Sequence, residues 1–140
     1  MRLNVVLSAD KFRENFTNVN LAETKTLELP CDDAEARTII LDNVLQILPF
    51  PKLKDGLGAI VRKLRIGGEL VIMGMEVTDV CRLYHIGHID LAKLNEMLYG
   101  SHNSNCTNLD FMVELVAGYG LKVMKKQIND NQYLLVGVRP

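Results

Sequence analysis

The sequence predicts a mixed α/β fold: a mostly parallel sheet flanked by helices and closed by a C-terminal antiparallel hairpin. Three observations predict it. Apolar, Val- and Ile-rich runs at residues 3–7, 37–41 and 69–75 read as buried strands. Apolar stripes at spacings of three and four follow them, at Leu53, Leu57, Ile60, Val61 and Leu64, then at Leu91, Leu94, Met97 and Leu98, then at Leu109, Met112, Leu115 and Val116. Two strand-like segments, 121–125 and 133–138, end the chain around Asn129-Asp130-Asn131, a turn composition that suits a hairpin. Strands alternating with helices argue for parallel strands covered by helices.

In chain order, the first strand ends at Ser8-Ala9-Asp10, and a polar stretch leads to a second strand over 16–21. Residues 25–29 suggest a third, short strand, stopped by Pro30. The acidic segment 31–35 reads as a loop, and the strand at 37–41 ends at Asp42-Asn43. Pro49-Phe50-Pro51 reads as a break before the first helix, whose charged residues Lys52, Lys54, Arg62, Lys63 and Arg65 lie off the apolar stripe. Gly67-Gly68 is expected to end that helix, and the run 69–75 to be a strand buried on both faces. Asp90 is placed to cap the next helix, which stops at Gly100. Thr107 and Asp110 have capping-box spacing for the last helix, which ends at Gly118 and Gly120.

Composition narrows the function classes. The 140 residues are expected to form one domain, 1–140, large enough to hold a core without disulfides or metal. A net charge of −1 with dispersed Lys and Arg argues against a dedicated nucleic-acid surface. Cys31, Cys81 and Cys106 are odd in number and show no CxxC spacing, so a reduced, cytoplasmic chain is expected. No signal-peptide pattern opens the sequence, and its apolar runs fall short of the ~20 residues of a membrane span. There is no P-loop, HExxH motif or Ser–His–Asp order. The methionines, Met73, Met97 and Met112 among them, fall at packing positions, and Lys125-Lys126 reads as a solvated strand edge.

Several segments resemble the class I S-adenosylmethionine (SAM) dependent methyltransferases. Residues 64–72, LRIGGELVI, are similar to the family's "LKPGGxLVI" ahead of its fifth strand. Residues 39–48 are similar to its fourth strand and following "hVLEHl", residues 115–123 to "LLexaGFxxV", and residues 134–140 to its last strand. The N-terminus resembles the frame "LNLGCGxxxxxGyiNVDL" of short methyltransferase-like proteins, with Leu3, Asn4, Asn18, Val19 and Leu21 kept. Asn15 stands where that frame has a glycine, and Asn is the side chain that best tolerates a left-handed backbone. The resemblance implies a Rossmann-like methyltransferase fold with reduced N-terminal helices. It further implies SAM as cofactor and a methyl acceptor, small molecule or macromolecule, that the sequence does not name. Homo-oligomerisation is left open.

Carried over residue by residue, the resemblance puts the cofactor against Val6, Leu7, Ser8, Asn20, Asp42 and Asn43. It puts Tyr84, His85 and His88 on the substrate side, together with His102, Asn103 and Asn105 of the polar loop. The family's G-x-G is here Val6-Leu7-Ser8, a degenerate glycine motif. Its ribose-binding acid is Asn20, and its "LEH" acid and imidazole are Gln46 and Ile47. Read without the resemblance, Leu7 to Asp10 is a strand-to-loop turn at a usual ligand-binding place, and Asp42 or Asn43 is either a helix cap or a base. His85 and His88 form an HxxH pair that would share one helical face, with no third ligand arranged, so no metal is expected. Two functions follow: a compact SAM-dependent methyltransferase that works by positioning, or a methyltransferase-like binding or assembly module that has lost the cofactor.

Overall fold

The computed structural model describes residues 1–24, 26–100 and 103–140. Strands β1 (Arg2–Val6), β2 (Thr17–Asn20), β3 (Ala36–Asp42), β4 (Leu64–Met75), β5 (Lys122–Asn129) and β6 (Gln132–Val138) form one sheet in the order β2-β1-β3-β4-β6-β5. The first four strands run parallel, and β6 enters antiparallel between β4 and β5. The α-helices are α1 (Phe50–Lys63), α2 (Val77–His85), α3 (Leu91–Tyr99) and α4 (Leu109–Gly118). No helix of the described residues is long and apolar enough to cross a membrane.

The core forms where the helical stripes meet one face of the sheet. Leu3, Val5, Ile39, Leu41, Leu70, Ile72 and Leu135 meet Leu53, Leu57 and Ile60 of α1 and Met112 and Val116 of α4, all essentially inaccessible to water. Each fully buried Leu or Ile contributes about 1.5–3 kcal/mol, so this layer dominates stability. The opposite face is less covered. Val71, Met73 and Met75 of β4 are only half-buried, so the expectation of burial on both faces fails. The physical reason is that the β1–β2 connection carries only a 3-10 turn (Ala9–Lys11), and no described residue between β2 and β3 is helical.

Four other expectations are corrected. No strand forms at 26–29, and Lys25 lies outside the described residues. Leu27 and Leu29 instead pack on the core beside Ile60 and Lys63, where they shield α1 rather than extend the sheet. Pro49-Phe50-Pro51 is a helix start, not a break: Pro49 is the N-cap residue, and Pro51 stands in the first turn, where no N–H is missed. Gly67-Gly68 does not end α1, which stops at Lys63 and passes directly into β4. The glycines form an irregularity between the pairs Ala36–Leu64 and Thr38–Glu69. Gly67 is left-handed (φ 79°), and a Cβ on Gly68 would lie 2.8 Å from the Arg65 carbonyl oxygen and 3.0 Å from that of Ala36. Last, α4 is capped by Asn108, whose Oδ1 accepts from Phe111 N at 2.9 Å, not by Thr107.

Other local readings agree. Asp90 caps α3 by accepting from Lys93 N at 2.8 Å. The terminal hairpin turns on Asp130 and Asn131, both left-handed as a type I′ turn requires. Asn15 is left-handed at φ 64°, the backbone expected where the resembling frame has glycine. Asn15→Gly should therefore leave stability within about 0.5 kcal/mol, whereas Asn15→Ala should lose about 1 kcal/mol in urea unfolding.

Candidate active-site crevice and cavity

The chain leaves β1 toward β2 on one side and returns as β3 on the other. The carboxyl ends of β1 and β3 therefore form the point where strand order reverses, the usual ligand crevice of open α/β sheets. The loop above it is held by asparagines. The Asn18 side chain pairs with the Arg13 backbone, accepting from its N–H (2.9 Å) and donating to its carbonyl (3.0 Å). That fixes Oδ1 of Asn18 as the acceptor for Nδ2 of fully buried Asn4 (2.8 Å), which also donates to the Lys11 carbonyl (3.0 Å). Asn4 and Asn18, neighbours across β1 and β2, thus clamp the loop over the sheet.

The cofactor-side residues read from the sequence fall around this crevice in different environments. Val6 is fully buried and lies outside the large core cluster, and Leu7 is half-buried against that cluster. The Ser8 hydroxyl is bonded to the Asp10 carboxylate. Asn20 accepts from Ala22 N at 3.0 Å, forming a local turn at the end of β2. Asp42 is 9% exposed; it accepts from Asn43 Nδ2 at 3.0 Å, and Lys11 Nζ stands 3.7 Å away. Asn43 is left-handed (φ 57°) and donates its N–H to the Met73 carbonyl at 3.0 Å. The structure therefore brings Asp42, Asn43 and Lys11 together. Lys11, in a polar stretch with no motif, carried no sequence signal.

Beside Asn43, at the carboxyl end of β4, lies a cavity of about 120 Å³. Its polar lining includes Gln46, Asn103, Asn105 and Thr107, and its apolar wall includes Met73 and Tyr133. A more open pocket of about 320 Å³, under Phe50, Leu98 and Tyr99, shares Asn103, Asn105 and Cys106 with it. Asn105 secures the loop by donating to the carbonyls of Leu45 (2.9 Å) and Leu48 (2.6 Å). Tyr84, His85 and His88 line neither space and are exposed. Since α2 ends at His85 and Gly87 is left-handed, His85 and His88 share no helical face. His102 lies outside the described residues. Among the described residues no three His, Cys, Asp or Glu side chains gather as for a metal ion. The three cysteines are free thiols.

Two further residues shape this end of the sheet. Buried Glu76 caps α2 by accepting from Thr78 N (3.0 Å) and also accepts from Leu109 N (2.8 Å) in the first turn of α4. Tyr133 forms one cavity wall, its hydroxyl 3.4 Å from Thr107 Oγ1. Burial pushes the Tyr133 phenol above its ordinary value of 10.0; the Thr107 hydrogen bond works against this, and the Glu76 carboxylate adds to it. The unfolded chain ionises this phenol near pH 10 and the folded chain at higher pH. Its stabilising contribution is thus intact below pH ~10 and is lost as pH rises through the folded value. In an ultraviolet titration, one of the four tyrosines should ionise after the others, and Tyr133→Phe should abolish that late step.

No protein-family profile matches the chain, and no curated protein matches it. Solved structures do. A SAM-dependent methyltransferase from Thermotoga maritima matches with TM-score 0.65 at 12% identity, over 99% of this chain and 82% of that one. The 1,6-didemethyltoxoflavin-N1-methyltransferase of Burkholderia thailandensis, solved with 1,6-didemethyltoxoflavin and S-adenosylhomocysteine, matches with TM-score 0.65 at 12% identity, over 98% and 70%. An O-methyltransferase family protein from Burkholderia thailandensis matches with TM-score 0.59 at 20% identity, over 89% of this chain, which spans only 35% of that protein. At these identities the likeness establishes the fold: the chain has the class I methyltransferase architecture, with the antiparallel β6 inserted as the closing hairpin requires.

Proposed function

We propose that the chain binds S-adenosylmethionine at the β1–β3 crevice and is a methyltransferase. The observation that carries this reading is Asp42. It is a nearly buried carboxylate at the switch point, and its cation, Lys11, is 44% exposed and 3.7 Å away, beyond close hydrogen-bond distance. SAM carries a sulfonium and an ammonium, and a cation of that kind at Asp42 would take the place Lys11 now holds. The rest of the donor set fits as well. Asn20 at the end of β2 offers an amide to a ribose hydroxyl, and the backbone of Leu7 and Ser8 offers the polar groups that a degenerate glycine motif still retains. When bound, the cofactor supplies an electrophilic methyl group on sulfur. The chain's part is to orient it, with the Asn4–Asn18 clamp fixing the loop and Asn43, bonded to Asp42, standing at the edge of the neighbouring cavity.

Isothermal titration with SAM and S-adenosylhomocysteine tests this reading. Saturable binding is expected, weakened roughly tenfold or more in Asp42→Asn through loss of a charge-assisted contact, and not weakened in Lys11→Ala. No heat at millimolar ligand would sink the proposal. A second reading, a methyltransferase-fold binding module without cofactor, is favoured by one observation. Val6 and Ser8 put side chains where the resembling frame has glycines, and Val6 is fully buried there.

A further inference from the structure

Helices α1 and α4 pack on the same face of the sheet. Each runs back to the start of the strand that follows it, and β4 and β5 point the same way because both pair antiparallel with β6. The two helices are therefore parallel. The rings of Phe50 and Phe111, in their first turns, lie 5.5 Å apart at 36°, and the Tyr119 hydroxyl at the end of α4 donates to the Lys54 carbonyl. Between the helices lies an open groove of about 420 Å³, lined by Phe50, Pro51 and Lys54 on one side and Phe111, Glu114 and Leu115 on the other. Phe50 is 53% exposed and Phe111 36%, and the pocket under Leu98 and Tyr99 continues the apolar band from Phe50. A contiguous apolar patch with a polar rim marks an interaction surface.

We propose that this groove is an isologous interface with a second copy of the chain, its two-fold axis running along the groove. The charges on the two rims select that partner. Lys54 stands on the α1 side and Glu114 on the α4 side, each one turn beyond its phenylalanine, and neither makes an ion pair among the described residues. A rim of one sign would call for a partner of the other sign. Opposite signs on facing rims are complementary to themselves, because an axis along the groove lays α1 of one copy over α4 of the other. Lys54 of each copy then meets Glu114 of the other, and Phe50 meets Phe111. Two ion pairs flank a cluster of four aromatic rings, the aromatic centre and charged rim of a specific interface. Such an interface takes about 800 Å² from each partner, about a tenth of this chain's 7970 Å². A net charge of −1 opposes pairing of two copies only weakly. The interface is independent of the methyltransferase reading, since none of its residues belongs to the β1–β3 crevice.

Sedimentation equilibrium of the full chain, up to about 100 μM, tests the proposal. The chain should reach a dimer with concentration. Lys54→Glu and Glu114→Lys each set two like-charge contacts across the axis, so each should weaken the dimer roughly tenfold or more. Both side chains are exposed, so both variants should fold, which circular dichroism and thermal unfolding check. The decisive step is to mix the two variants. Across a two-fold axis along the groove every rim contact between a Lys54→Glu chain and a Glu114→Lys chain is again between opposite charges, so the mixture should dimerise where neither variant does alone. Phe111→Ala should weaken the wild-type dimer at least tenfold, as loss of a central aromatic does. A chain that stays monomeric at 100 μM, leaving the groove to another partner, would overturn the proposal. So would a dimer indifferent to both charge reversals, or a mixture that stays as monomeric as its components.

Discussion

Glu76→Ala should cost about 3–5 kcal/mol of folding stability, the largest loss expected from any polar substitution in this chain. Glu76 is 3% exposed, and each of its oxygens accepts from a backbone N–H in the first turn of a different helix, Thr78 in α2 and Leu109 in α4. Those N–H groups belong to the orphan donors every helix start presents, and the positive end of each helix dipole favours a carboxylate. Charge-assisted hydrogen bonds contribute about 1.5–3 kcal/mol each. Among the described residues no Lys or Arg pairs with Glu76, so the two helix starts stabilise its charge. Alanine would leave both donors unpartnered, one of them at buried Leu109. Glu76→Gln should fall between, since one amide oxygen can serve one helix while its NH2 opposes the other donor. Urea unfolding measures both. A loss below about 1 kcal/mol for Glu76→Ala would mean that water replaces the carboxylate at both helix starts.

Glu76 also marks where sequence reasoning stops. The sheet and its helices were legible because strand and helix leave different periods in the apolar pattern: Ile39 and Leu41 on one strand face, Leu53, Leu57 and Ile60 on one helix stripe. Turn chemistry was equally local, so the hairpin at Asp130-Asn131 could be foreseen from residue type, and the left-handed Asn15 from the glycine of the frame it resembles. Misreadings arose where one residue type serves two geometries. Leu27 and Leu29 alternate like a strand, yet the same alternation lets a loop cover α1. Gly67-Gly68 looks like a helix stop, yet here it relieves a close backbone approach inside a strand. The crevice residues could be located from strand ends, but Lys11, Glu76 and the asparagine cavity depend on pairings between distant segments. Asn105 reaching Leu45 and Glu76 reaching Leu109 have no local pattern to announce them.

Gly74→Ala should destabilise by about 1–3 kcal/mol and close the asparagine-lined cavity in the same step. Gly74 of β4 faces Tyr133 of β6 across the antiparallel pair, and a Cβ there would stand 2.6 Å from the Tyr133 hydroxyl and 2.7 Å from its ring. The tyrosine cannot yield cheaply, because it is 3% exposed and its hydroxyl meets Thr107. Working against this, alanine loses less backbone entropy than glycine on folding, which returns about 0.5–1 kcal/mol. The displaced ring is a wall of the cavity, so the cavity should change shape as stability falls. A double-mutant cycle separates this contact from a general intolerance of the strand. In a Tyr133→Leu background the added methyl finds space, and Gly74→Ala should there be neutral within about 0.5 kcal/mol, leaving an interaction energy of roughly 2 kcal/mol between the two positions. If Gly74→Ala costs the same in both backgrounds, the tyrosine is not what demands glycine, and the shape of the cavity does not depend on that pair.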